Sequence, residues 1–307
     1  MNVTATIVGA GLSGLIAAHA WPHALVVERE PAPRQNHKAV LRFRSEAISA
    51  LTGVEFRKVV VRKALWSDGA FCTPTLRHAN LYSSKVLGRI ENDRSIWALE
   101  PVERWVAPDD FYERLVEAVR SRISWGAEVD FKHRSVDDKP PMLSTVPLPV
   151  TLKALGVASD GLRFTHAPIT VRRYAVTDCD VFQTIYFPEL STSLYRASIT
   201  GNLLIAESMG LGEELEREQE ELEAAFGIEG RLSHIETANQ KYGKIVPVDP
   251  MARRALLLRL TTRYGIYSFG RFATWRNVLL DDLVHDIAVI KRLLAGDQYT
   301  TRLAAAT

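Results

Sequence analysis

Six residues near the start of the chain, Gly9-Ala10-Gly11-Leu12-Ser13-Gly14, limit its fold more than any other feature. Val3 to Val8 before them alternate as an apolar strand, and Leu15 to Ala20 after them read as a short helix ended near Pro22. Leu25 to Val27 form a second strand closed by Glu28. Strand, glycine turn, helix and a strand ending in an acid is the order that a dinucleotide-binding βαβ unit requires. Gly9 permits the tight turn, Gly11 lets the backbone approach a pyrophosphate, and Gly14 lets helix and strand pack closely. Ala10, Leu12 and Ser13 belong to the same phosphate loop, which opens on a helix N-terminus whose free N–H groups and dipole favour negative charge. Glu28 suits ribose hydroxyls and disfavours a 2′-phosphate; Arg29 adjoins it and Glu30 is the alternative acid. The competing reading is a glycine turn in an unrelated α/β fold.

Beyond this unit, the pattern predicts a loop over Pro31 to Lys38, a helix over Ser45 to Leu51 and a small antiparallel sheet over Phe56 to Leu99. Asp109 is the expected N-cap of a helix over Phe111 to Arg122. Strands are expected at Ala127 to Phe131 and Met142 to Val146, joined by the charged, proline-ended segment His133 to Pro141. Val181 to Phe187 and Ser193 to Ile205 read as strands of a second sheet around a turn at Pro188 to Thr192. Gly212 to Ala225, with seven Glu residues, reads as a solvated helix face. Leu256 to Phe269 reads as strands and Asp281 to Leu294 as the closing helix. The expected fold class is α/β: a parallel Rossmann-type domain over 1–55, 100–150 and 240–307, and a smaller α+β substrate domain with a mixed or antiparallel sheet over 56–99 and 151–239.

Three stretches resemble FAD-dependent oxidoreductases of the glutathione-reductase-like superfamily, in the branch of amine oxidases, protoporphyrinogen oxidase and UDP-galactopyranose mutase. They are Ile7 to Glu28; Leu143-Ser144-Thr145-Val146-Pro147-Leu148-Pro149; and Tyr264 to Trp275 with the acids Asp281 and Asp282 opening a helix. The resemblance implies FAD as cofactor, with contacts at Arg29, Arg42, Val129, Thr145, Gly270, Arg271 and Asp281 besides the glycine loop and Glu28. In that branch a Gly-Arg pair meets the pyrophosphate and the last helix points its N-terminus at the flavin. One departure is clear: Arg34-Gln35-Asn36-His37 stands where a second glycine pair would follow the ribose acid. The chain is also shorter than typical members.

Basic residues in the second half supply the expected catalytic group. Arg196, beside Tyr195, can clamp a carboxylate or phosphate, or else pair across strands with an acid such as Glu189. Lys241-Tyr242-Gly243-Lys244 is either a site cluster, with Gly243 close to the flavin, or an ordinary turn. Arg42 and Arg44 each can reach the flavin or an anionic substrate group, or else be a solvated helix-entry residue, and Lys85 in Tyr82-Ser83-Ser84-Lys85 is a reserve candidate on what otherwise reads as a surface strand. Trp97 and Trp275 read as core. The implied activity is oxidation of a small molecule bearing a C–N bond, an amine, an amino-acid derivative or a modified nucleobase, by hydride transfer to the flavin. A non-redox sugar-nucleotide mutase and an FAD-binding protein without catalysis are the alternatives.

Composition limits the other classes. With 38 Lys and Arg against 36 Asp and Glu, the charge gives a nucleic-acid partner no support, though it does not exclude one. Cys72 and Cys179 have no paired spacing and are expected to be buried, reduced thiols; His37, His78 and His285 suggest no metal site. No apolar run has the length of a membrane span and the N-terminus lacks signal-peptide character, so a cytoplasmic protein acting on a small molecule is expected, with no membrane partner and no oligomeric state implied.

Overall fold

The computed structural model describes residues 4–35, 37–90, 95–137, 140–212 and 214–306. The chain opens as the glycine pattern predicts, with β1 (Thr6–Val8), α1 (Leu12–Ala20) and β2 (Leu25–Glu28). Val3 lies outside the described residues. β3 (Arg42–Phe43), α2 (Ala47–Thr52), β4 (Arg57–Ser67) and β5 (Ala70–Phe71) follow. The expected antiparallel run then gives way to α3 (Leu76–Leu87): Ala79, Tyr82, Ser83 and Val86 are buried at helical spacing, Thr75 accepts the His78 N–H as a cap, and Gly88 ends the helix with φ +68°. Local capping thus overrides an apparent alternation.

β6 (Val102–Val106) leads to α4 (Phe111–Val119), which ends in a 3₁₀ turn over Arg120–Arg122. Its N-cap is Asp110 rather than Asp109, and that carboxylate makes no capping bond; it accepts instead from Arg114 Nε at 2.8 Å. β7 is Ile123–Trp125, not Ala127 to Phe131, because Gly126 turns the chain at φ +67° and donates to the Glu30 carbonyl. β8 (Met142–Ser144) and α5 (Leu148–Leu155) precede β9 (His166–Val176), β10 (Val181–Tyr186), β11 (Leu194–Gly201) and β12 (Leu203–Met209). The single stretch expected over Ser193 to Ile205 is therefore two strands, split at Gly201 with φ +68°.

α6 (Leu215–Phe226) carries the acidic segment, and β13 (Leu232–Ile245) contains Lys241 to Lys244 as strand rather than turn. α7 (Pro250–Tyr264) replaces most of the strand expected from Leu256: Asp249 caps it through the Ala252 N–H, Pro250 opens it, and Gly265 closes it. β14 (Ile266–Ser268) and α8 (Leu283–Ala306) complete the chain.

Two sheets organise these elements. The first, in the order β14-β8-β1-β2-β7, is wholly parallel. Helices α1, α4 and α8 pack one of its faces through Leu15, Leu115 and Ile287; α5 and α7 pack the other through Leu152, Leu256 and Leu260, with Trp275 fully buried beside them. Covering on both faces is what a parallel sheet needs, and each fully buried aliphatic side chain contributes about 1.5–3 kcal/mol. The second sheet has nine strands, ordered β13-β9-β12-β11-β10-β4-β6-β3 with β5 on β4, and is antiparallel except where β10 meets β4. Parallel and mixed sheets together give the α/β class that the sequence implies.

α6 covers one face of the mixed sheet and α3 the other. The acidic helix is not solvated throughout. Glu218 is 1% exposed and accepts hydrogen bonds from Arg172 (2.7 Å), Ser208 (2.9 Å) and Tyr174 (3.0 Å). Cys72 and Cys179 are free and half-buried, and Trp97 is exposed rather than core.

Candidate cofactor and substrate site

The glycine loop lies at the carboxyl ends of the parallel strands, where open α/β sheets bind their ligands. Each glycine answers a different need. Gly9 holds φ +101°, and a Cβ there would lie 2.3 Å from Thr145 Oγ1. A Cβ on Gly14 would fall 1.8 Å from the Gly9 carbonyl oxygen, so α1 and β1 can approach only through glycine. Around Gly11 there is open space, nothing standing within 4 Å of its absent Cβ. That gap adjoins the free N–H groups of α1, as a phosphate cradle requires.

Neighbouring side chains fix the loop. Thr145 Oγ1 donates to the Val8 carbonyl at 2.8 Å. Tyr112, on α4, donates to the Ala10 carbonyl at 3.3 Å and accepts the Arg34 N–H at 3.2 Å. Nothing in the local sequence singles Tyr112 out, because only tertiary packing brings α4 to the loop. Glu28 ends β2 with Oε2 accepting the Ala10 N–H at 2.6 Å and Oε1 the Glu30 N–H at 3.0 Å. A carboxylate has about four acceptor sites, so capacity remains for two hydroxyls. Leu12 is buried behind the loop, Arg29 is exposed beside Glu30, and Val129 is half-buried in the irregular segment after β7.

The C-terminal stretch meets the same loop. Gly270 has φ +88°, and its absent Cβ would lie 2.7 Å from Ser13 Oγ at the start of α1. Arg271 follows it directly, with its guanidinium turned toward β13. Its Nη2 makes only long contacts, 3.4 Å to the Gly243 carbonyl and 3.5 Å to Asn277, and its Nε is buried without a hydrogen-bond partner. Burial pushes its pKa down, a cost that a bound anion would remove. Asp281 is placed differently: Oδ1 accepts the Arg44 and Ser45 N–H groups at 2.9 and 3.3 Å, tying α2 to the start of α8. Arg44 is the solvated member of its pair and bonds Asp282. Arg42 points inward, where its Nη atoms reach Thr184 Oγ1 and the Gln183 and Ile199 carbonyls.

Beyond Arg271 the mixed sheet contributes a buried polar cluster. A bulge between Leu194 and Arg196 breaks the alternation of β11, so the consecutive residues Tyr195 and Arg196 share one face. Arg196 pairs across strands with Glu207 rather than Glu189, which accepts instead from Ser67 and Arg77. Burial pushes the Glu207 carboxyl up, but the Arg196 guanidinium, its hydrogen bond and the charges of Lys244 and His37 bring it below its ordinary value. Lys244 Nζ stands 4.1 Å from the Tyr195 ring centre. His37, reached from the loop after β2, has its Nε2 buried without a partner; desolvation first, then Arg271 and Arg196, lower its pKa to about 4 against the opposing pull of Glu207. The Tyr195 hydroxyl is also buried, and burial beside the Glu207 carboxylate pushes its pKa well up.

The remaining candidates lie elsewhere. Lys241 is exposed over the Tyr242 ring, which packs with His166, Phe272 and Trp275. Gly243 permits a close approach to Ile169 of β9, whose Cγ1 would lie 2.3 Å from an added Cβ. Lys85, on α3, donates to the Phe187 and Leu194 carbonyls at 2.8 and 2.9 Å, tying that helix to the sheet. Glu207 was the legible omission, an acid inside the apolar run Leu203-Leu204-Ile205-Ala206. His37 carried no such signal. Among the described residues no group of three His, Cys, Asp or Glu stands together to hold a metal, and no helix is long and apolar enough to cross a membrane.

No family model matches the sequence, and no curated protein does. Solved structures do resemble the fold. A fatty acid isomerase from P. acnes that produces CLA is 11% identical, with 95% of this chain and 98% of that one covered at a TM-score of 0.61. A geranylgeranyl bacteriochlorophyll reductase-like protein from Thermoplasma acidophilum is 10% identical, covering 96% and 79% at 0.55. A protein described as an FAD-containing monooxygenase from Photorhabdus luminescens is 8% identical, covering 96% and 89% at 0.52. These likenesses show a shared fold, and the description of the Photorhabdus luminescens protein names FAD; none of the three is described as an amine oxidase or a sugar-nucleotide mutase.

Proposed function

We propose that the chain binds FAD and is an FAD-dependent oxidoreductase acting on a small molecule held against the mixed sheet. The observation that carries this reading is the start of α1, where open space stands beside Gly11 and Gly270 rests against Ser13, with the buried Nε of the neighbouring Arg271 lacking a hydrogen-bond partner. Arg271 would hold the pyrophosphate, Glu28 the adenosine ribose, and Thr145 and Tyr112 would keep the loop in the shape that admits both. Bound FAD would supply a two-electron acceptor able to take a hydride from a carbon centre. The FAD-containing monooxygenase of similar fold supports this class.

A second reading has a specific support: the P. acnes protein of similar fold is an isomerase, so flavin chemistry without net redox change belongs in the test. The purified protein is expected to show a flavin absorbance spectrum, or to acquire one when FAD is added, and Glu28→Gln is expected to weaken uptake by roughly 10- to 100-fold, the value of a charge-assisted hydrogen bond. A folded protein that takes up no FAD would refute the reading. Turnover that needs a reduced flavin yet consumes no reductant would select the isomerase-like alternative.

A further inference from the structure

We infer that His37 contacts the isoalloxazine ring of bound FAD and gives its polar edge a neutral hydrogen bond. The inference rests on the flavoprotein reading and adds to it a residue outside the glycine loop. Two segments leave the carboxyl ends of the parallel strands and run to the mixed sheet. One follows Glu28 at the end of β2, and its Lys38 Nζ reaches Glu236 on β13 at 3.2 Å. The other follows β14, where Gly270 rests against Ser13 and Arg271 Nη2 reaches the Gly243 carbonyl, again on β13, at 3.4 Å. They converge at His37, whose ring lies within electrostatic reach of Arg271 on the second segment and of Arg196 and Glu207 on the sheet. A dinucleotide held by Glu28 and the open space at Gly11 has its other half still to place, and both segments lead from those strands to this point.

The groups gathered there differ in what they have left to offer. Arg196 and Glu207 bond each other, Arg271 leans on the Gly243 carbonyl, and Lys244 lies over the Tyr195 ring and couples to Glu207. His37 is placed otherwise. Its Nε2 is buried with no hydrogen-bond partner among the described residues, while the residue as a whole is only half-buried. A nitrogen so placed is costly until something satisfies it, and the accessible part of the residue lets a ligand do so. Desolvation holds the pKa of the ring at about 4, so the ring is neutral near pH 7. A neutral imidazole carries one donor and one acceptor. The polar edge of a flavin presents both partners, an N3–H between two carbonyl oxygens and an unprotonated N5.

FAD and ADP titrated into the full chain test this, because ADP shares the half assigned to the glycine loop and Glu28 but has no flavin. His37→Phe is expected to bind FAD about two- to tenfold more weakly than the wild type, the range of one neutral hydrogen bond, with ADP affinity unchanged. His37→Gln, which keeps an amide donor and acceptor, should recover most of that loss. The near-ultraviolet band of bound flavin responds to hydrogen bonding at the ring, so it should shift in the Phe variant and stay closer to the wild type in the Gln variant. Unchanged FAD affinity in His37→Phe would overturn the inference, as would an unmoved flavin band. Equal losses of FAD and ADP affinity would also overturn it, because His37 would then shape the loop instead of meeting the ring. So would a Gln variant no better than the Phe variant. A folded wild-type chain that takes up no FAD would refute the flavoprotein reading itself.

Discussion

The two sheets encode their parts of the site in opposite ways. The parallel sheet works through what is missing: Gly11 leaves room for a ligand, Gly14 lets two backbones touch, and Gly270 lets the C-terminal stretch reach Ser13. The mixed sheet works through what is present, with charged side chains buried among apolar ones at Arg172 and Glu218 under α6 and at Arg196 and Glu207 opposite. In the first region, adding one carbon should be the damaging change; in the second, deleting one charge should be. The lesson is that backbone recognition is written in contiguous sequence, whereas side-chain recognition is assembled from distant strands.

The largest expected effect tests the mixed sheet. Glu218→Ala removes a buried carboxylate that accepts hydrogen bonds from Arg172, Tyr174 and Ser208 together. A loss of about 3–5 kcal/mol is expected, read from urea denaturation midpoints, and replacing Arg172 and Glu218 together by leucines should recover most of it. A single variant of wild-type stability would break the comparison, because the network would then be ornamental.

The parallel sheet should show the converse. Alanine at a glycine within a helix ordinarily gains about 1 kcal/mol. At Gly14 the added methyl would sit 1.8 Å from the Gly9 carbonyl oxygen, so Gly14→Ala is expected instead to cost about 3 kcal/mol, the upper end of the overpacking range. Denaturation midpoints again decide, and a neutral or stabilising substitution would show that α1 and β1 are not held at that distance.

This contrast also explains how much of the molecule could be read beforehand. The βαβ unit was legible because each glycine's task is local, whereas the Gly270-Arg271 stretch was marked only by its resemblance to a known family. α3 and α7 were misread as strands because their apolar residues alternate by chance; the caps Thr75 and Asp249, with Gly88 and Gly265 beyond, carried the stronger signal. Arg196 was visible as a candidate, but its partner Glu207 is fixed by the register of β11 on β12, which no local pattern states. Tyr112 and His37 join the site only through packing between segments.

A smaller effect sharpens the role of His37. Its pKa of about 4 in the folded chain lies below the value of about 6.5 expected when unfolded, so between these pH values the unfolded chain binds a proton that the folded one does not. Stability should therefore fall as pH drops through this window, by up to about 3 kcal/mol in all. His37→Gln should flatten that part of the stability profile, with little change above pH 7. An unaltered profile would mean that the imidazole meets water, and that the cluster on the mixed sheet is open rather than dry.

The smallest expected change in stability separates fold from recognition within the glycine loop itself. Gly11 holds φ −71° and ψ 174°, an extended geometry open to any residue, and an added Cβ would meet nothing within 4 Å. Gly11→Ala should therefore leave stability within about 0.5 kcal/mol of the wild type. Its methyl group would nevertheless stand where the pyrophosphate must approach the backbone, and FAD affinity should fall at least about tenfold, or ~1.4 kcal/mol. Flavin fluorescence titration beside a denaturation curve gives both readings from one preparation. Unchanged affinity would place the phosphates elsewhere and leave Gly11 as an ordinary turn residue; lost stability would mean that the space is structural. Only the combination of intact folding and weakened binding fits a region that recognises its ligand by what it lacks.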